Sequence, residues 1–126
     1  MNVQKLRESL EVLKENLGGG LLAADIYGAH DGQTIVALDN KPHPVADAVF
    51  CRIIKMMQES LRDAKFPPLG KYVLMDLEGD KVGIVLPMGD YQWGMLVDYN
   101  KTQLGLALNV AIPKAIKTFK EALAED

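Results

Sequence analysis

Between residues 21 and 98 the chain is a succession of short apolar runs separated by turn signals, interrupted by a single long amphipathic segment. An order of two strands, one helix and three strands allows few architectures, because each run must find a partner and each apolar face a cover. Residues 21–27 and 33–38 read as strands joined by Gly28-Ala29-His30-Asp31-Gly32. Asp-Gly is a strong hairpin signal, so the two runs are expected to pair antiparallel. Asp39-Asn40-Lys41-Pro42-His43-Pro44 reads as a loop, since each proline disfavours helix in the residue before it. Past the helix at about 45–65, Phe66-Pro67-Pro68-Leu69-Gly70 precedes strand-like runs at 71–77, 81–86 and 91–98. Glu78-Gly79-Asp80 and Pro87-Met88-Gly89-Asp90 are natural tight turns. The run Val82-Gly83-Ile84-Val85-Leu86 is apolar on both faces, which predicts a central strand covered on both sides. Residues 71–77 are expected at an edge, where unpaired backbone groups can extend the sheet into a partner chain.

The flanks read as helices. Val3, Leu6, Leu10, Leu13 and Leu17 recur at spacings of three and four, with Lys5, Arg7, Glu8, Glu11, Lys14 and Glu15 between them. Gly18-Gly19-Gly20 then acts as a stop signal, because glycine tolerates the left-handed conformation that closes helices. A phosphate-cradling loop would follow a strand and open a helix, the reverse of this order. At the other end Leu104, Leu106, Leu108, Val110 and Ile112 alternate as in a strand, while Leu104, Leu108, Ile112, Ala115, Ile116, Phe119 and Leu123 make a helical stripe. A helix over about 103–124, kinked or restarted near Pro113, is expected; the alternative is a sixth strand before a short helix.

The helix at 45–65 carries most of the functional information. Val45, Ala46, Val49, Phe50, Ile53, Ile54, Met56, Met57 and Leu61 spread over about half of a helical wheel, whereas one sheet face needs a stripe of only a little over 100°. The surplus predicts a second contact, with another copy of the same helix. The expected dimer surface therefore comprises Val49, Phe50, Ile53, Met56 and Met57, together with Tyr72, Val73, Leu74 and Met75 of the edge run. Flexible thioethers such as Met56 and Met57 suit irregular contacts, although core methionines have the same spacing. The polar side holds Asp47, Arg52, Lys55, Gln58, Glu59 and Arg62. Of these, Arg52, Lys55, Glu59 and Arg62 are the candidate partner-binding residues, a role set against that of a solvated helix face.

Other function classes find less support. Fourteen basic and 17 acidic side chains give a net charge of −3, so bulk electrostatics does not attract nucleic acid or anionic lipid. No apolar run approaches the roughly 20 residues of a membrane span, and charges interrupt the first 20 residues as no signal peptide allows. A cytoplasmic location is expected, and the single cysteine, Cys51, agrees with it. His30 and His43 are lone histidines in turn-rich loops without metal-ligand spacing. Asp25 interrupts an apolar strand and is expected to face solvent or bond the adjacent turn. Residues 28–34 lack the lysine and spacing of a phosphate loop, and Asn100-Lys101-Thr102-Gln103 lacks the closing aspartate of a guanine-reading motif. No catalytic, metal or cofactor-binding residue is assigned, and a non-enzymatic protein is expected. With 126 residues and 48% apolar content, the chain is expected to form one domain over 1–126.

The order helix, two strands, helix, three strands, helix resembles the roadblock family of light-chain and regulator domains, related in fold to longin and profilin. Leu22-Ala23-Ala24-Asp25-Ile26-Tyr27, Asp31-Gly32-Gln33-Thr34-Ile35-Val36 and Gln103-Leu104-Gly105-Leu106-Ala107 carry the likeness. It covers nearly the whole chain, while the loop Lys41-Pro42-His43-Pro44 and Pro113 depart from the pattern. The resemblance implies an α+β fold of order α-β-β-α-β-β-β-α, with a five-stranded antiparallel sheet, the second helix on one face and the terminal helices on the other. It also implies dimerisation through the second helix and third strand, and a role as regulator or scaffold for a small Ras-like GTPase, some members resembling GTPase-activating platforms. The alternatives are an architectural adaptor of a motor or signalling complex and a small-ligand sensor, the latter requiring polar groups that converge on an apolar pocket.

Overall fold

The leucine stripe of the N-terminal segment forms helix α1 (Val3–Leu17) in the computed structural model, which describes residues 2–124. The Asn2 side chain caps it by accepting from the Lys5 amide, and Gly18, at φ 56°, closes it. Strands β1 (Leu21–Gly28) and β2 (Thr34–Ala37) form the expected antiparallel hairpin, with a register irregularity between Ile26 and Tyr27. Helix α2 (Pro44–Asp63) begins with its proline in the first turn, where no amide donor is needed. Strands β3 (Val73–Leu77), β4 (Lys81–Met88) and β5 (Tyr91–Asp98) form a meander.

The sheet order is β2-β1-β5-β4-β3, antiparallel throughout. β5 is thus the central strand and β4 lies beside it, which corrects the expectation for residues 81–86. Burial on both faces marks an interior strand without saying which one. β3 lies at an edge, as its place at the outer end of the meander implied.

The C-terminal segment is helical from Leu104 onward, so the sixth-strand alternative is not what forms. A single turn, α3 (Leu104–Leu106), passes through a π-helical stretch at Ala107–Ala111 into α4 (Ile112–Ala124). The Ile112 amide reaches back five residues to the Ala107 carbonyl. Pro113 has no amide to donate and its ring crowds the carbonyl four residues earlier, so a wider turn just before it removes the conflict.

One face of the sheet carries the main core. Ile26, Ile84, Leu86, Trp93 and Val97 meet Leu6, Leu10 and Leu13 of α1 and Ile112, Ala115 and Phe119 of α4, all essentially buried. The Phe119 ring stands edge-on to Trp93, with centroids 5.3 Å apart, and to Tyr91 at 5.7 Å. Each such aliphatic side chain contributes about 1.5–3 kcal/mol by leaving water, and the aromatic pairs add about 0.5–1.5 kcal/mol each. The other face is left to α2 alone. Terminal helices on one side and the second helix on the other is the layering expected of the α+β order.

Candidate functional site

Helix α2 touches the sheet through a narrow stripe. Only Asp47, Cys51 and Ile54, spaced by four and three residues, are buried along its length. The hairpin between β1 and β2 tucks against this stripe. Gly32 sits at φ +71°, and a Cβ there would come 2.9 Å from the Ala48 Cα and 3.1 Å from the Cys51 Cβ, so both conformation and space call for glycine. The Cys51 thiol donates to the Ala29 carbonyl at 3.2 Å, and the Lys55 ammonium donates to the His30 carbonyl. Cys51 is therefore a buried packing residue.

Much of the remaining apolar band is uncovered. Val45 is 77% exposed, Met56 67% and Ile53 37%, while Val49, Phe50 and Met57 are half-buried. The edge strand is similar: Tyr72 and Leu74 are exposed, and Val73 and Met75 half-buried. These four edge residues divide between faces. Met75 packs over Gly83 on the α2 side, and the period of two sends Leu74 to the opposite side. Tyr72 precedes the strand. On the α2 side of the edge strand, Met75 and Leu77 therefore stand beside the groove, while Leu74 faces the other way.

Between α2 and the sheet runs a groove of about 210 Å³, lined by Ala23, Ala46, Phe50, Leu77, Gly83 and Leu96 among others. Gly83 and Gly94 keep it open, since side chains there would meet Met75 and Tyr27. Asp25, His43 and Asp47 converge on the same groove. Asp25 and Asp47 are 3% and 2% exposed and line the groove together. The His43 amide donates to Asp25 Oδ2 at 2.8 Å, and His43 Nδ1 lies 3.2 Å from Asp25 Oδ1. The Thr34 hydroxyl donates to Asp47 Oδ2 at 2.5 Å. Burial first, and then the hydrogen bond to Asp25 and its charge, push the Asp47 carboxyl up to about 7 against the opposing bond from Thr34. The Tyr27 phenol nearby is pushed up as well, by burial and then by Asp47.

Two expectations are corrected here. Asp25 neither faces solvent nor bonds the adjacent hairpin turn; it is buried and holds the entry to α2. Asp47, placed by the helical wheel on the polar side, belongs to the buried stripe, because the first turn of α2 lies against β1 and β2, which supply hydrogen-bonding partners. An aspartate breaking an apolar strand, followed by another in the first turn of the next helix, was the available signal for the pair. His43 is half-exposed at the groove mouth, and His30 is an exposed residue 3.1 Å from Asp90. Arg52, Glu59 and Arg62 are exposed along one side of α2, and Lys55, on the same line, is half-buried by its bond to the hairpin. Among the described residues, no group of three or more His, Cys, Asp and Glu side chains could hold a metal ion, and no helix is long and apolar enough to cross a membrane.

At the level of sequence, no family model and no curated protein matches the chain. Solved structures do. MglB of Myxococcus xanthus is similar with a TM-score of 0.73 at 12% identity, over 95% of this chain and 91% of that one. A Roadblock/LC7 domain from Streptomyces avermitilis gives 0.73 at 12% identity, over 98% of both chains. Profilin IA of Acanthamoeba castellanii gives 0.55 at 19% identity, over 88% of this chain and 96% of that one. The chain has the roadblock fold, with the wider profilin-like arrangement of sheet and helices around it.

Proposed function

We propose that this chain of roadblock fold is a non-enzymatic, dimeric regulator or scaffold that binds a small Ras-like GTPase. The observation that carries the reading is the uncovered apolar band of α2, with Val45, Ile53 and Met56 exposed, beside the open edge strand β3, where Leu77 is exposed on the same face of the sheet. Isolated exposed apolar residues are ordinary, but a contiguous band beside an open sheet edge suits a second chain. The second copy occupies Val49, Phe50, Ile53, Met56 and Met57 of α2 and Tyr72, Val73, Leu74 and Met75 at the edge. Arg52, Lys55, Glu59 and Arg62 face the partner GTPase. The likeness in fold to MglB and to a Roadblock/LC7 domain supports this reading. In the regulator, the dimer presents a surface that positions the GTPase's own catalytic groups, so no catalytic side chain is required of this chain.

Affinity capture from native lysate, repeated with a GTP analogue and with GDP, tests the regulator. Recovery of a Ras-like GTPase mainly with the analogue is the expected result, because a regulator must prefer one state of its partner. Nucleotide-independent recovery of a large complex would replace the regulator with an architectural adaptor. A second reading, a small-ligand sensor, draws on the groove under α2, where Asp25, His43 and Asp47 meet apolar walls. Its volume of about 210 Å³ lies below the roughly 300–1,000 Å³ of usual ligand sites, so only a very small molecule would fit. A thermal-shift screen with small metabolites checks it.

A further inference from the structure

We propose that Asp25 and Asp47 form a proton-sharing latch that fastens the first turns of α2 to β1, and that loss of the shared proton loosens this end of the helix. The latch goes beyond the GTPase reading and does not depend on it.

Asp25 of β1 and Asp47 of α2, each at least 97% buried, line the same groove, Asp25 accepting from the His43 amide at the start of the helix and Asp47 from the Thr34 hydroxyl of β2. With one proton between them, one donates and the other accepts, and the pair carries a single negative charge. Without it, two like charges face each other away from water, and the bond that joined strand to helix becomes a repulsion. The surroundings compensate in part, with one hydrogen bond to each carboxyl group, from the His43 amide to Asp25 and from the Thr34 hydroxyl to Asp47. His43 is the sole potential cation lining the groove, and its side chain is half open to solvent. β2 supplies the Thr34 hydroxyl, β1 also supplies Tyr27, and α2 supplies Cys51 one turn beyond Asp47. β3, β4 and β5 contribute only uncharged residues to the groove, Leu77, Gly83, Gly94 and Leu96 among them. The helix dipole favours a negative Asp47, an effect small beside the cost of two like charges held together away from water.

The rest of α2 can respond because it is held so narrowly. Below Asp47 only Cys51 and Ile54 are buried. Ala46 and Phe50, on the loosened turns, line the groove. Deprotonation thus frees the part of the helix that covers the groove, while the core on the opposite face stays closed.

Hydrogen exchange of the free protein between pH 5.5 and 8.5 tests the latch, with the amides of residues 47–51 measured relative to those of α1 and corrected for intrinsic exchange. The expected result is a relative loss of protection of tenfold or more across neutrality in the natural chain, flattened in Asp47→Asn and in Asp25→Asn. It persists in His43→Gln, which separates the carboxyl pair from the side chain that lies beside Asp25. A pH-independent ratio in the natural chain would overturn the proposal, and so would a transition that disappears in His43→Gln. Should neither Asp variant fold, the natural chain and His43→Gln still decide.

Discussion

Gly32 shows how a single hydrogen atom in place of a side chain can set the spacing of two elements. Its left-handed backbone and its approach to Ala48 and Cys51 allow the hairpin to lie against α2. Gly32→Ala is expected to lower stability by about 1–3 kcal/mol, measured by urea denaturation, because strain and steric conflict add at this site. Gly89, also left-handed but with open space around it, provides the control, and Gly89→Ala should lose only the strain component. The Asp47 carboxyl makes a second prediction at this scale. Its proton is held more tightly in the folded chain, at about 7, than at the ordinary 3.8. The stability this provides is complete below about pH 3.8 and is lost as pH rises through about 7. The urea midpoint should therefore fall between about pH 4 and pH 7 and level off above it, and this fall should be smaller in Asp47→Asn. Asp25 was visible in the sequence as an anomaly within an apolar strand, but its partner was not. A helical wheel averages over the whole helix, and Asp47 is buried by the local approach of β1 and β2 to the first turn.

At the scale of elements, the sequence was most legible where periodicity and stop signals agree. The stripe from Leu6 to Leu17 and the glycines after it delimit α1, and the Asp-Gly turn joins β1 to β2. Residues 104–112 were ambiguous because their leucines satisfy two periods at once. The helical reading prevails through the π turn before Pro113, a local solution that periodicity does not encode. β4 reads as central in the sequence although β5 holds that place, because apolarity on both faces reports burial and not neighbours. The α1–α4 layer makes its own prediction. Phe119 lies against Trp93 and Tyr91, so Phe119→Ala is expected to destabilise the chain by about 3–5 kcal/mol, read by thermal or urea unfolding. Met56→Ala, on the uncovered side of α2, should change the stability of the isolated chain by less than about 0.5 kcal/mol.

For the whole molecule, the asymmetry between the two sheet faces is the main fact. One face is sealed by two helices, and the other bears a single helix with its outer band bare. Sedimentation equilibrium is expected to show a dimer, and the double variant Ile53→Asp, Met56→Asp to shift it towards monomer with unchanged far-ultraviolet circular dichroism. An unchanged mass in that variant would move the contact away from α2. The strand order carries a different kind of consequence. β1 is completed by β5, so Ile26 pairs with Trp93, and the β1–β2 hairpin joins the sheet only through the last strand of the meander. The meander depends on near neighbours and can assemble early, whereas closing the β1–β5 seam brings together distant parts of the chain and sets a slow step. During synthesis, the hairpin and α2 leave the ribosome with their partner strand still unmade. Their apolar faces must wait in water until β5 emerges, and that interval is when a nascent chain of this topology has most need of a chaperone.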